Sequence, residues 1–217
     1  MTLRAGTPRR LLVVAPHPDD EAIGAYAMMT RLRRRGVAVQ VVVVTDGAAS
    51  HPSSVRWPHR KLVAERRREC RRVLRRIGVT AAAVTFLDLP DGQLHLCAAA
   101  ARRGLARAMG NHGPTLLVSP AHDDDHADHR TVAACVEALR RPGVRTLAYP
   151  VWPAGCAVTG AGALFLTGQE RLAKRYALRS YRTQTGRITD DPNGFTMTRA
   201  QIAAFTGPRE VFVERRR

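Results

Sequence analysis

Five short runs rich in β-branched residues recur along the chain: Leu11–Ala15, Val37–Val44, Val84–Leu87, Thr115–Ser119 and Thr146–Val151. They are largely apolar on both faces. A strand with one wet face alternates apolar and polar residues, so runs without that alternation predict strands buried on both sides of a parallel sheet. Between them lie Glu21–Arg35, His59–Ile77, Ala98–Met109 and His129–Arg140, with apolar residues at helical spacing. Gly36, Gly78, Gly110 and Gly143 stand just past their ends, where glycine stops helices by accepting a left-handed backbone. Strand–helix alternation of this kind predicts a three-layer, Rossmann-like α/β fold. Its doubly wound, mostly parallel sheet would carry helices on both faces, joined by right-handed crossovers.

The remaining chain is less regular. Ala154–Gly168 is rich in Gly and Ala and is expected to be a loop near the site or a flexible connection. A helix over about Gln169–Tyr181, a polar turn through Gly194 and a last strand at Glu210–Glu214 follow. With 217 residues the chain can bury a substantial core. One domain over 1–217 is expected, its 154–217 part completing the rim of the site. No apolar run approaches the ~20 residues of a membrane-spanning helix. The run Leu11–Ala15 is too short for the ~7–15-residue core of a signal peptide, so a cytoplasmic protein is expected. The sequence leaves a homo-oligomer open.

Cys70, Cys97, Cys135 and Cys156 are irregularly spaced and form no C-x-x-C pair, which reads as buried reduced thiols. A fourth metal ligand is the minor alternative for one of them. The net charge of +17 raises nucleic-acid binding, because clustered Arg and Lys release counterions from phosphate. Yet 33 of the 35 basic residues are Arg, scattered through most helices without a recognition helix or zinc-finger spacing. Solvated charge, or attraction to an acidic partner, is the plainer reading.

Chemistry concentrates at two strand ends. The first strand runs into Pro16-His17-Pro18-Asp19-Asp20-Glu21. One acid could cap the next helix, but that leaves the other and His17 unexplained. Carboxylates this close repel one another unless a cation intervenes. The second cluster, His122-Asp123-Asp124-Asp125-His126-Ala127-Asp128-His129, follows the fourth strand about a hundred residues later. If the first and fourth strands are neighbours, both clusters meet at the switch point of a doubly wound sheet. Catalytic zinc takes three protein ligands plus water. A His-x-x-Asp pair offers two and a distant histidine the third.

Ala15-Pro16-His17-Pro18-Asp19-Asp20-Glu21 resembles the A-H-P-D-D-E signature of the LmbE-like, or PIG-L, deacetylases, which act on N-acetylglucosamine-type substrates. His126-Ala127-Asp128-His129 resembles that family's H-x-D-H motif. Arg66–Glu69 with Ile77-Gly78-Val79, Phe86–Gly92 and Tyr181-Arg182-Thr183-Gln184 are similar to further family stretches, with Thr183 in place of serine. The resemblance implies zinc, one per chain, on His17, Asp20 and His129, with another divalent transition metal as the alternative. It further implies Asp19 as general base, His126 as general acid or oxyanion stabiliser, and Asp128 as the partner that orients His126. The implied reaction is hydrolysis of an N-acetyl group from an N-acetylated sugar or sugar conjugate.

Other residues carry weaker expectations. Arg66 is either a helix-face partner of Glu69 or a substrate contact. Asp46, before Gly47, is either a substrate contact or a turn residue. The run Asp123–Asp125 could be a solvated loop, a support behind the metal ligands or part of the substrate rim, the loop being the favoured reading, with His122 only a neighbour of the motif. His51, His59, His95 and His112 read as surface or core histidines, and Trp152 and Tyr149 as sugar-stacking or core aromatics. A dinucleotide site is disfavoured, because the first strand-to-helix turn lacks G-x-G-x-x-G and offers carboxylates instead. The alternative from another class is a degenerate deacetylase fold that binds nucleic acid or another acidic partner through its basic surface.

Overall fold

The computed structural model describes residues 8–110, 115–156 and 158–214; His112 lies outside them. The strands are β1 Arg10–Ala15, β2 Ala38–Thr45, β3 Val84–Leu89, β4 Thr115–Pro120, β5 Val144–Tyr149, β6 Gly162–Phe165 and β7 Arg209–Glu214. The α-helices are α1 Asp20–Arg34, α2 His59–Arg76, α3 Ala98–Met109, α4 Ala127–Glu137, α5 Gly168–Arg179 and α6 Arg199–Phe205. They build a sheet in the order β3-β2-β1-β4-β5-β7-β6. Neighbours among β1 to β5 pair in parallel, and β7 is antiparallel to both β5 and β6. None of the described helices is long and apolar enough to cross a membrane.

β1 shows why the sequence runs are apolar throughout. Leu11, Val13 and Ala15 pack toward α1, α2 and α5, while Leu12 and Val14 pack toward α3 and α4. Successive side chains of a strand point to opposite faces, so a central strand must be apolar on both. Order reverses at β1: β2 and β3 lie on one side, β4 and β5 on the other. This is the switch point the clusters required.

α1 is kinked at Ala25 (φ −139°). Beyond the kink the amides of Ala27 and Met28 donate to Glu210 of β7 (2.9 and 3.1 Å), which satisfies donors the break would orphan. Gly24 is required by close packing: a Cβ there would sit 2.2 Å from the Tyr149 ring.

The C-terminal part is more regular than expected. Ala154–Gly168 contains strand β6, paired from Gly162↔Phe212 to Phe165↔Arg209, and helix α6 follows the turn through Gly194. The signal for α6 lay in Thr198 and Gln201, which form a reciprocal capping box. Cys70 and Cys135 are buried thiols, whereas Cys97 and Cys156 are only half-buried.

Candidate active site

At the end of β1 the carbonyl of Pro16 accepts both the amide and the hydroxyl of Thr45 (2.9 Å each), tying the turn to β2. Asp19 then adopts φ 142°, a conformation that non-glycine residues keep only when their surroundings hold it. Its N–H donates to Glu21 Oε2 (3.0 Å). Arg66 of α2 donates to the Pro18 carbonyl (3.0 Å), to the Gly47 carbonyl (2.6 Å) and to Asp19 Oδ2 (3.4 Å). Glu21 is buried in turn and accepts from the Tyr181 hydroxyl and the Cys70 thiol.

Because β1 and β4 are neighbours, the turn after β4 opens into the same crevice. His126 caps α4 and His129 lies in its first turn. His17 Nδ1, Asp20 Oδ2 and His129 Nε2 stand 3.1, 3.2 and 3.3 Å apart. Donors ~2.0–2.2 Å from a common metal, at angles between octahedral and tetrahedral, are separated by about 2.8–3.6 Å. The three buried atoms therefore fit a divalent metal. The ring nitrogens of His17, His126 and His129 also approach within 4.8 Å of one another, but the triangle closed by Asp20 is tighter.

Around the triangle the surroundings are acidic. His17 Nε2 lies 2.9 Å from Asp91 and 3.4 Å from Asp128. His129 Nδ1 lies 3.2 Å from Asp124. Carboxylates behind the imidazoles orient a metal-binding histidine and raise its basicity. Burial alone would lower His17, yet its contacts with Asp128, Asp20 and Asp91 hold it well above its ordinary value. Burial likewise opposes charge on His129, but Asp20 and Asp124 push it up to about 9. Burial raises Asp19 to about 8 despite Arg66. Burial also works against charge on Asp20 and Asp91, but His129 holds Asp20 well below the carboxylate range, and His17 holds Asp91 at about 2. Imidazoles drawn toward protonation and an acid drawn toward neutrality mark a pocket short of positive charge.

Three expectations need correction. Asp128 does not hold His126 through its carboxylate. Those oxygens accept the amides of Gly92 (2.7 Å) and Leu94 (3.1 Å), and it is the Asp128 peptide N–H that donates to His126 Nδ1 (3.2 Å). His126 is consequently lowered, first by burial and then by the charges of His17 and His129, rather than held charged by an acid. The run Asp123–Asp125 is not uniformly solvated: Asp124 is buried and accepts the amides of His126 (3.0 Å), Val151 and Trp152 (2.9 Å each). Asp46 serves the turn, accepting from Ala48 (3.0 Å) and contacting exposed His59 (3.1 Å), and it does not line the pocket. His51 is buried, while His95 and His122 are exposed.

A cavity of about 660 Å³ opens over the triangle. Arg66, Ser50, Gln184 and Gln201 contribute polar lining; Ile23, Trp152, Phe195 and Met197 contribute apolar lining. Trp152 meets Phe195 and Phe205 edge-on at 5.9 and 5.4 Å. Tyr149 is core instead, its hydroxyl bonded to the Val14 carbonyl (2.8 Å). Asp91 and Asp124 were not singled out by sequence reasoning. Asp91 sat inside the quoted Phe86–Gly92 stretch, so a signal existed; Asp124 was masked by identical neighbours.

The chain is 31% identical over 157 residues to the 2'-N-acetylparomamine deacetylase of Streptomyces fradiae, a match covering 65% of this chain and 56% of that protein. It thus spans little more than half the length of that relative. Its fold matches the N,N'-diacetylchitobiose deacetylase of Pyrococcus horikoshii with a TM-score of 0.68 at 22% identity, over 83% of this chain and 72% of that one. It also matches the A40926 pseudoaglycone deacetylase with a TM-score of 0.70 at 21% identity, over 94% and 96%. The PIG-L family model, described as GlcNAc-PI de-N-acetylase, matches residues 12–139, which include both strand-end clusters. A match over more than half of the chain, carrying both clusters, places this chain in the PIG-L family.

Proposed function

We propose that this chain is a zinc-dependent amidohydrolase that removes the N-acetyl group from an N-acetylglucosamine-type sugar or sugar conjugate. The observation that carries the reading is the triangle of His17 Nδ1, Asp20 Oδ2 and His129 Nε2 beneath an open pocket. Lewis-acid polarisation of the acyl carbonyl and acidification of a water are what zinc held by these three residues supplies.

Burial draws the Asp19 carboxyl up, a nearby metal charge would draw it back to the ionised form, and in that form it accepts the water's proton. Arg66 engages its Oδ2, and Oδ1 carries no described bond. The same carboxyl hands that proton to the nitrogen as the C–N bond breaks, so the acyl carbon exchanges nitrogen for oxygen and the products are acetate and a free amine. His126 has Nδ1 occupied by the Asp128 amide, so its neutral ring carries the proton on Nε2. From there it donates to the oxygen that gains negative charge. The geometry thus favours the oxyanion role for His126 over the acid role. Ser50, Gln184 and Gln201 are placed to bind sugar hydroxyls, and Trp152 offers an apolar face for the ring.

The relatives' activities, on acetylated paromamine and diacetylchitobiose, support this substrate class. The test is acetate release from a panel of N-acetylated amino sugars by zinc-loaded and chelator-treated protein. Release that stops on chelation and returns with zinc supports the reading; release unaffected by chelation contradicts it.

A further inference from the structure

A second cavity, of about 670 Å³, lies behind the active-site wall and shares Met197 with it. Arg175, Arg179, Arg182, Arg187 and Arg199 line it, and among the described residues no Asp or Glu does. Two of these arginines are anchored. Arg187 pairs with Glu65 (2.7 Å) and stacks over Trp57, and Arg175 donates to the Thr206 hydroxyl (3.4 Å). Arg179, Arg182 and Arg199 are exposed and have no ionic partner among the described residues. By contrast, half-buried Arg31 and Arg145 each face an acid, Glu170 and Glu214.

Like charges converging on one concave surface repel, and an anion in their midst relieves that repulsion. Guanidinium groups match phosphate oxygens through paired N–H donors, which suits arginine to this task better than lysine. The volume exceeds what one phosphate needs and falls in the ~300–1,000 Å³ range of small-molecule pockets. We propose that this arginine cavity is a binding site for a small, multiply charged phosphate anion, separate from the His/Asp pocket and independent of its chemistry.

The test is calorimetric titration of inorganic pyrophosphate into the full chain at about 150 mM salt, where unfocused surface charge is screened. Saturable binding is expected. The combined substitutions Arg179→Ala, Arg182→Ala and Arg199→Ala should weaken it by about tenfold or more. A control with equal charge loss on other exposed positions, Arg72→Ala, Arg103→Ala and Arg107→Ala, should bind as the unmodified chain does. Should the pocket triple variant fail to fold, Arg182→Gln alone should still weaken binding by roughly threefold. Equal weakening in both triple variants would overturn the proposal, as would no saturable binding by the unmodified chain. So would binding indifferent to the pocket substitutions, the pattern expected if pyrophosphate went to the metal centre.

Discussion

Two buried charge clusters sit along α1, and they solve the same problem in opposite ways. In its middle, Glu210 is matched group for group. Its oxygens accept the amides of Ala27 and Met28 and the Lys174 ammonium (2.8 Å), and Lys174 also donates to the Ile23 carbonyl (2.7 Å). At the N-terminal end, Asp19, Asp20, Glu21, Asp91, Asp124 and Asp128 gather around three imidazoles, and among the described residues only Arg66 is a fixed cation paired with them. Burying an ion is tolerated where a partner and hydrogen bonds replace water. Lys174–Glu210 meets that condition internally and reads as a fastening between α1, α5 and β7. The His/Asp cluster is proposed to meet it with a cation from outside, and that difference would separate a structural charge cluster from a chemical one.

The comparison breaks first at Asp19. Asp19→Asn keeps the shape of the side chain and removes the proton acceptor, so acetate release should fall by about 10²–10⁴-fold while zinc content and unfolding midpoint hold. Undiminished release would remove Asp19 from the mechanism. In the other cluster, Lys174→Met strands the buried Glu210 carboxylate and should cost about 3–5 kcal/mol of stability, with turnover per folded molecule unchanged. Adding Glu210→Gln should recover most of that loss; denaturant midpoints of the single and double variants decide the matter. Asp124→Asn, which weakens the support behind His129, should reduce zinc affinity by about 10–100-fold. Because its NH2 must face amides that the carboxylate accepts, it should also cost about 1–3 kcal/mol of stability. A competitive chelator titration measures the affinity.

The smallest effect belongs to a half-buried pair near the surface. Glu170 is drawn down to about 2, first by its hydrogen bonds from Arg31. A depressed carboxylate contributes stability that is fully present above its unfolded value near 4.5 and is lost as pH falls toward 2. Arg31 is about one-third exposed, so solvent limits the pair to about 0.2–1 kcal/mol. Glu170→Gln should therefore lower stability slightly near pH 6 and match the unmodified chain near pH 2.5; a gap that widens as pH falls would contradict the assignment.

Much of this was legible because its signals are local. Strands apolar on both faces predicted a parallel sheet, and two acidic clusters at strand ends required β1 and β4 to be neighbours, as they are. What escaped was decided by long-range packing. Composition does not tell Asp124 from Asp123 and Asp125; besides the nearby His126 amide, it is the amides of Val151 and Trp152, arriving after β5, that hold its carboxylate in the interior. The motif quoted around Asp128 fixed a residue but not which of its groups faces His126; the loop carrying Gly92 and Leu94 takes the carboxylate. β6 was hidden because a short edge strand rich in Gly and Ala carries little pattern of its own.

One metal ion on His17, Asp20 and His129 is proposed to complete the His/Asp cluster. Zinc bound per chain, measured by elemental analysis after exhaustive dialysis of the unmodified chain and of Asp20→Asn, tests it directly. About one zinc per chain is expected for the first and a large loss for the second. Stoichiometric zinc retained by Asp20→Asn, or none bound by the unmodified chain when zinc is supplied, would contradict it.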